Sequence, residues 1–201
     1  METYNIIADI AGEMNALMRL VAIMPKADKF ILVGDLNDRG ENSREVIKWA
    51  METPNVITLL SNHGDMMIDF CRKTGKYEWG VWGDNGGNKT LRSYKGMIPK
   101  AHVDWLASRP LSFETEGLII THAPIGEDWE SKDFGPFWSR AEPSPIPGKL
   151  QIFGHCSQWN LRRFLDADGK LFAMCIDQSR QKILTGINCP SLEIYTVNFE
   201  E

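Results

Sequence analysis

Five times along this chain a short apolar run stops at a block of charged or amide-bearing residues, and this repeated pattern constrains the fold more than any other feature. The runs are Tyr4 to Ala8, Phe30 to Val33, Val56 to Leu60, Leu118 to Ile120 and Gln151 to Phe153. Each reads as a buried strand. The blocks that follow are Asp9-Ile10-Ala11-Gly12, Gly34-Asp35-Leu36-Asn37-Asp38-Arg39-Gly40, Ser61-Asn62-His63, Thr121-His122-Ala123 and Phe153-Gly154-His155. Polar groups therefore collect at the C-terminal ends of strands, where ligand sites assemble in α/β sheets.

The first half repeats one plan. Met14, Leu17, Met18, Val21 and Ala22 recur at helical spacing after the first strand, and Pro25 follows their last turn. A second helix is predicted near Ser43 to Met51, with Ser43 as its cap and Val46, Ile47 and Ala50 as its apolar face. A third is predicted near Asp65 to Arg72. Three successive β-loop-α units indicate a sheet that begins parallel. The second half carries hairpin signals, at Glu116-Gly117 between Leu111 to Thr115 and Leu118 to Thr121, and at Asp168-Gly169 between Arg163 to Leu165 and Leu171 to Ile176. Strands near Lys182 to Gly186 and Leu192 to Val197 complete the chain, so the sheets are expected to be mixed.

A chain of 201 residues with no Ser/Pro/Gly linker reads as a single domain over residues 1–201. The net charge of -5 comes without any cluster of Lys and Arg, which argues against a nucleic-acid partner. Four cysteines without CxxC spacing suit a reducing compartment rather than a disulfide framework or structural zinc. No signal-peptide pattern or membrane-length apolar run is present, so a soluble, cytoplasmic protein without a membrane partner is expected. Oligomeric state is left open.

The groups gathered in the five blocks are carboxylates, imidazoles, one carboxamide and one guanidinium. Such a set suits two hard divalent cations and a phosphate. A lone Asp after a strand is ordinarily a turn or cap residue; the ordered set of blocks is far more specific. At these residues the chain resembles the calcineurin-like metallophosphoesterases, and within them the bacterial and phage branch of the Ser/Thr phosphoprotein phosphatases. The family pattern runs D-x-H-G, G-D-x-x-D-R-G, G-N-H-E, a His after a strand, then G-H. The second block matches completely and the first, third and fifth in part. Trp82-Gly83-Asp84-Asn85-Gly86-Gly87, followed by Thr90 and Ser93-Tyr94, is similar to a segment of the bacterial branch.

The resemblance implies an α/β fold, a four-layer α-β-β-α sandwich with two mixed sheets and the site at one edge. It implies Asp35 as the ligand bridging two metals, Asn62, His122 and His155 completing one position, and Asp9 in the other. His63 would be the general acid, Asp38 its hydrogen-bonding partner, and Arg39 a fork for two phosphate oxygens. Arg140, in Phe137-Trp138-Ser139-Arg140, is the candidate for a second phosphate arginine. Neutral imidazoles and a carboxamide favour Mn²⁺, Fe or Zn²⁺ over Ca²⁺.

Two positions depart from the pattern. Ala11 stands where the family has a metal-ligand His, which leaves the Asp9 position incomplete and suited to Mg²⁺ or weakly held Mn²⁺. Gly64 stands where the family has Glu. Ser157, two residues past His155, is where a compensating ligand would first be sought. The expected function is that of a metal-dependent phosphomonoesterase, a Ser/Thr or dual-specificity phosphoprotein phosphatase using a metal-bound hydroxide and attenuated by Ala11, with a phosphorylated protein or peptide, or a small phosphoester, as substrate. Hydrolysis of dinucleoside polyphosphates and a phosphate-binding pseudoenzyme are the alternatives.

Overall fold

The computed structural model describes residues 2–131 and 135–200. The first half builds β1 (Tyr4–Ile7), α1 (Met14–Ile23), β2 (Lys29–Leu32), α2 (Ser43–Glu52), β3 (Val56–Thr58) and α3 (Asn62–Arg72). Two short helices, α4 (Trp79–Trp82) and α5 (Asn88–Ser93), follow, joined through a kink at Gly86, and then α6 (Lys100–Ala107). The second half adds β4 (Ser112–Glu114), β5 (Leu118–Thr121), α7 (Gly135–Trp138), β6 (Leu150–Phe153), β7 (Arg162–Leu165), β8 (Leu171–Cys175), β9 (Ile183–Cys189) and β10 (Glu193–Asn198).

The strands form two mixed five-stranded sheets, ordered β10-β9-β1-β2-β3 and β4-β5-β6-β8-β7. β1, β2 and β3 run parallel, as successive β-loop-α units dictate, and β9 enters antiparallel to β1. Both predicted hairpins form, β4 with β5 and β7 with β8. Side chains alternate across each strand with period two. Ile6, Ile31, Ile120, Ile152, Met174 and Ile187 meet in the core shared by the two sheets. Ile7, Leu32 and Leu184 face the other way, against Leu17, Leu20, Val46 and Ile47 of α1 and α2. The second sheet's smaller cluster joins Phe153, Ala173 and Cys175 to Phe164 and Phe172.

Two local expectations are corrected. Ser43 does not cap α2; Asn42 holds the cap position, without a side-chain bond, and Ser43 is the first helical residue. Its hydroxyl instead accepts the Asp38 N–H at 3.1 Å, so the functional loop takes the group that capping would have used. α3 begins at Asn62 rather than Asp65, because Ser61 caps it by accepting the Gly64 N–H at 3.2 Å. No helix among the described residues is long and apolar enough to cross a membrane.

The loops at the strand ends are bent sharply. Ala11, Asp35, Asp38, Arg39 and His155 all have positive φ, a left-handed conformation that non-glycine residues seldom adopt and that collects at functional sites. Gly34, at φ +124°, makes the turn out of β2 where the two sheets come together. A Cβ there would stand 2.6 Å from Ser61 Cβ and 2.8 Å from His122 Nδ1. Gly34→Ala therefore combines a forbidden backbone with a collision between sheets. It should destabilise the protein by on the order of 2–4 kcal/mol. Denaturant unfolding measures this, and a loss below about 0.5 kcal/mol would show that the two sheets can part without penalty.

Candidate metal centre

Asp9 follows β1, Asp35 follows β2 and His122 follows β5, so one residue from the second sheet meets two from the first. One ligand atom from each of these three lies within 4.8 Å of the others, and all three residues are buried. Asp9 is fixed by the His155 N–H, which lies 3.2 Å from both carboxylate oxygens. Gly154 makes that approach possible, since a Cβ on it would overlap Asp9 Oδ2. The Asp35 loop is tied down by its own N–H donating to Ser61 Oγ at 2.9 Å and by the Ala11 N–H donating to the Asp35 carbonyl at 2.7 Å.

His122 gives the clearest reading of what the cluster is built to hold. Its Nδ1 lies 3.1 Å from the Val33 carbonyl, which can only accept, so Nδ1 carries the proton. Burial, the largest influence, lowers the pKa of the ring and favours its neutral form. Nε2 then turns a lone pair toward Asn62 Oδ1, 2.8 Å away. Two lone pairs at that distance repel unless the carboxamide is turned, a proton is shared or a cation binds them both. Nearby, Asp35 Oδ1 and His155 Nε2 are buried without a hydrogen-bond partner. The His155 ring packs edge-on to His122 with centroids 5.1 Å apart. Burial and the neighbouring His122 push the His155 pKa down to about 3, so this ring too is a neutral donor of electron pairs. Buried carboxylates, neutral imidazoles and a carboxamide oxygen, with unpartnered atoms among them, fit divalent cations.

A second constellation adjoins the first. His63 Nδ1 lies 2.6 Å from Asp38 Oδ2, and its Nε2 lies 3.8 Å from Asp35 Oδ2 and 3.2 Å from Arg39 Nη2. Burial opposes the His63 imidazolium, but the Asp35 charge and the Asp38 hydrogen bond outweigh it and raise its pKa. Asp38 is itself completely enclosed. Trp82 Nε1 donates to Oδ2 at 3.0 Å, and the Thr90 hydroxyl donates to Oδ1 at 2.5 Å while accepting the Asp38 N–H at 2.9 Å.

These contacts explain the segment around Trp82. A Cβ on Gly86, at φ +107°, would overlap the Arg39 nitrogen, and one on Gly87 would overlap the Trp82 indole. Ser93 Oγ accepts the Arg44 N–H at 2.9 Å, pinning the same segment to α2. Trp82, Gly86 and Gly87 therefore hold the Asp38 and Arg39 loop as well as packing locally. Trp79, by contrast, is half exposed beside Phe70.

The remaining positions around the centre are placed as follows. Arg140 is exposed, with its charge felt at His155 and Cys156. Ala11 is buried at the end of the first block. Cys156 points its thiol at the Ser139 carbonyl, and burial raises its pKa to about 11, so it is a neutral filler. Sequence reasoning missed Asp177, a carboxylate only 2% exposed that follows β8. It repeats the pattern of an acid after an apolar strand, without the glycine or histidine neighbours that marked the other blocks.

Asp38→Asn tests the second constellation. Thr90, and Trp82 through an indole N–H that also lies 3.2 Å from Oδ1, would keep that oxygen facing them, which turns the amide nitrogen toward His63 and removes both the charge and the acceptor. The His63 pKa should fall, and Nδ1 should become the unprotonated nitrogen. Imidazole proton and nitrogen resonances followed through a pH titration report both changes. An unmoved titration would mean that Asp35 alone sets the protonation of His63.

Comparison with known proteins follows the same residues. The model of the calcineurin-like phosphoesterases matches residues 3–156. A symmetrical bis(5'-nucleosyl)-tetraphosphatase of Chromobacterium violaceum is 29% identical over 127 residues, covering 61% of this chain and 43% of that protein. The match thus spans less than half of the relative's length. Among solved structures, one provisionally described as a diadenosine tetraphosphatase superposes with a TM-score of 0.72 at 18% identity, covering 98% of this chain and 93% of the other. A Ser/Thr protein phosphatase of Saccharomyces cerevisiae superposes with a TM-score of 0.64 at 12% identity, covering 98% and 80%. At such identities the structural likeness speaks for the fold alone. The chain belongs to the calcineurin-like phosphoesterase family.

Proposed function

We propose that this chain hydrolyses dinucleoside polyphosphates, with Asp9, Asp35, Asn62, His122 and His155 holding two divalent cations, of which Mn²⁺ suits the mixed oxygen and nitrogen donors best. The observation that carries a hydrolytic reading is the His63–Asp38 pair at 2.6 Å, set beside the cluster of donor atoms. Bound there, the cations supply positive charge that makes water more acidic and offsets charge on the phosphoryl oxygens. His63 holds a proton at Nε2 for the departing oxygen. Asp38 fixes the ring so that this nitrogen, and not the other, faces the reaction. Arg39 offers a planar fork to two phosphoryl oxygens, and Arg140 adds charge from the solvent side.

The named relative supports the dinucleotide over the expected phosphoprotein. So does the aromatic flank. Trp138 lies 6.0 Å from His155, edge to face, and donates to Tyr77 Oη at 3.1 Å, while Trp79 is 46% exposed. Aromatic faces of this kind stack nucleobases. The phosphoprotein reading stands as the second, resting on the same metal and phosphate blocks, which both chemistries share. We also infer that residues 1–201 act as one domain.

Chelated protein reloaded with Mn²⁺ should convert diadenosine tetraphosphate and water into two molecules of ADP. Its kcat/KM for that substrate should exceed that for a phosphoserine peptide by roughly tenfold or more, the scale on which a lost binding contact discriminates substrates. Preference for the peptide would establish the second reading instead, and no turnover of either after reloading would mark a phosphate-binding pseudoenzyme.

His63→Ala should slow esters with alkyl leaving groups by about 10²–10⁴-fold while affecting p-nitrophenyl phosphate far less, because its phenolate departs without a proton. A series of phosphate esters graded by leaving-group pKa measures the change in slope. Equal losses across the series would assign His63 to positioning rather than proton transfer.

A further inference from the structure

Asp38 combines a left-handed backbone, at φ +71°, with a side chain that has no exposed surface. Both ends of the residue meet one hydroxyl. Thr90 Oγ1 accepts the Asp38 N–H at 2.9 Å and donates to Asp38 Oδ1 at 2.5 Å. A hydroxyl has a single proton, so in the 3.1 Å contact between Thr90 Oγ1 and Ser43 Oγ it is Ser43 that donates. The Ser43 oxygen in turn shares the Asp38 N–H with Thr90, at 3.1 Å. Trp82 lays its indole N–H across the carboxylate, 3.2 Å from Oδ1 and 3.0 Å from Oδ2. With Oδ1 held by Thr90, it is Oδ2 that faces His63 Nδ1, at 2.6 Å.

Neither clamping residue is placed to meet a substrate. Thr90 has no exposed surface and Trp82 is 1% exposed. The kink at Gly86 lets α4 and α5 both turn toward Asp38. The indole is fixed from its other side by Phe70, whose ring centroid lies 4.8 Å away, and by Gly87, where a Cβ would overlap it. A buried carboxylate is costly unless hydrogen bonds replace its water. The Thr90 hydroxyl, the Trp82 indole and the His63 imidazole are the donors that do so, and a buried network with its members satisfied holds one geometry.

We infer that Thr90 and Trp82 are positioning residues for proton delivery: by anchoring Asp38 through Oδ1 they keep Oδ2 on His63 Nδ1, and so keep Nε2 aimed at the departing oxygen. The inference rests on the general-acid reading of His63 given above. Orientation is the whole of the effect, because a general acid must hold its proton within hydrogen-bond reach of the atom that receives it. The rival role is structural, with the Thr90 hydroxyl serving only to staple α5 to Ser43 and to the loop after β2.

Thr90→Val keeps the shape of the side chain and removes the hydroxyl, whereas Thr90→Ser keeps the hydroxyl and removes the methyl. The Mn²⁺-loaded proteins are assayed on the graded series of phosphate esters, and the metal-free proteins are examined by proton NMR for the His63 Nδ1–H, which a short bond to a carboxylate moves downfield. Thr90→Val should lower kcat for alkyl esters roughly 10-fold or more at unchanged KM, a part of the ~10²–10⁴-fold that general acid catalysis supplies, with a much smaller loss on p-nitrophenyl phosphate. Its His63 resonance should move upfield or broaden, while Thr90→Ser keeps the rate and the resonance of the wild type. In an Asp38→Ala background Thr90→Val should cost less than about twofold more, since the carboxylate it anchors is gone. Trp82→Phe, which removes the indole N–H, should show the same graded loss and the same lack of additivity, and it stands in should Thr90→Val not fold. An unchanged rate, equal losses on both kinds of ester, losses that add in the Asp38→Ala background, or a Thr90→Ser as impaired as Thr90→Val would overturn the inference. A graded loss for His63→Ala beside a flat one for Thr90→Val overturns this inference alone. Equal losses for His63→Ala, or no turnover of any ester by the wild-type chain, would sink the general-acid reading and this inference with it.

Discussion

Mutual repulsion among buried carboxylates is the constraint on which the rest of the structure turns. Asp9, Asp35 and Asp177 are almost fully enclosed, and burial together with neighbouring charge drives Asp9 and Asp177 toward protonation. A fold that gathers such groups needs restraints that outlast the repulsion. Here they are main-chain restraints: the His155 N–H on Asp9, the Ala11 N–H on the Asp35 carbonyl, and a set of left-handed residues at the strand ends. Strain of about 1–3 kcal/mol per such residue persists only where the surroundings over-determine it. The two-sheet core provides that rigidity, with Ile6, Ile152 and Ile187 wholly buried beneath the loops.

The next layer fixes protons rather than charges. Asp38 has its oxygens occupied by Trp82, Thr90 and His63, so it has no freedom to rotate away. Arg39 shares the same turn, and Gly86 comes close enough to its backbone that only glycine fits. One segment thus sets both the imidazole that would deliver a proton and the guanidinium that would grip the phosphate. Disturbing Trp82 or Thr90 would act on chemistry through Asp38, without either residue touching substrate.

How much of this was readable in the sequence follows from the range of each interaction. Strand identity and the order of the blocks depend on local periodicity, and all five strand runs became strands at nearly the expected bounds. The meeting of Asp9, Asp35 and His122 could be read because each of their blocks combines a strand end with two or more distinctive residues. The clamp on Asp38 could not, because its partners lie 44 and 52 residues away and an isolated Trp or Thr suggests packing first. Asp177 escaped for the opposite reason, being a lone acid with no distinctive neighbour. Ser43 was misread because a serine before an apolar helix face suggests a cap, whereas the Asp38 loop draws on its hydroxyl. Protein phosphatase and dinucleotide hydrolase readings rest on the same metal and phosphate blocks, so those blocks had no power to choose between them.

Alanine in place of a neutral imidazole at position 11 changes more than the number of ligands. With fewer protein donors a divalent cation is held less firmly, and a centre that is less fully occupied is on average less positive. A less positive centre acidifies water less and attracts a polyphosphate less strongly. The exchange would therefore shift work onto the arginines. Arg39 is held close to His63, and Arg140 stands exposed beside His155, so both can meet phosphoryl oxygens without contributing to the cations' shell. On this reading the absence of an imidazole at Ala11 describes a centre that favours oxygen-loving cations and leans on guanidinium groups for its substrate, rather than one that has lost its chemistry.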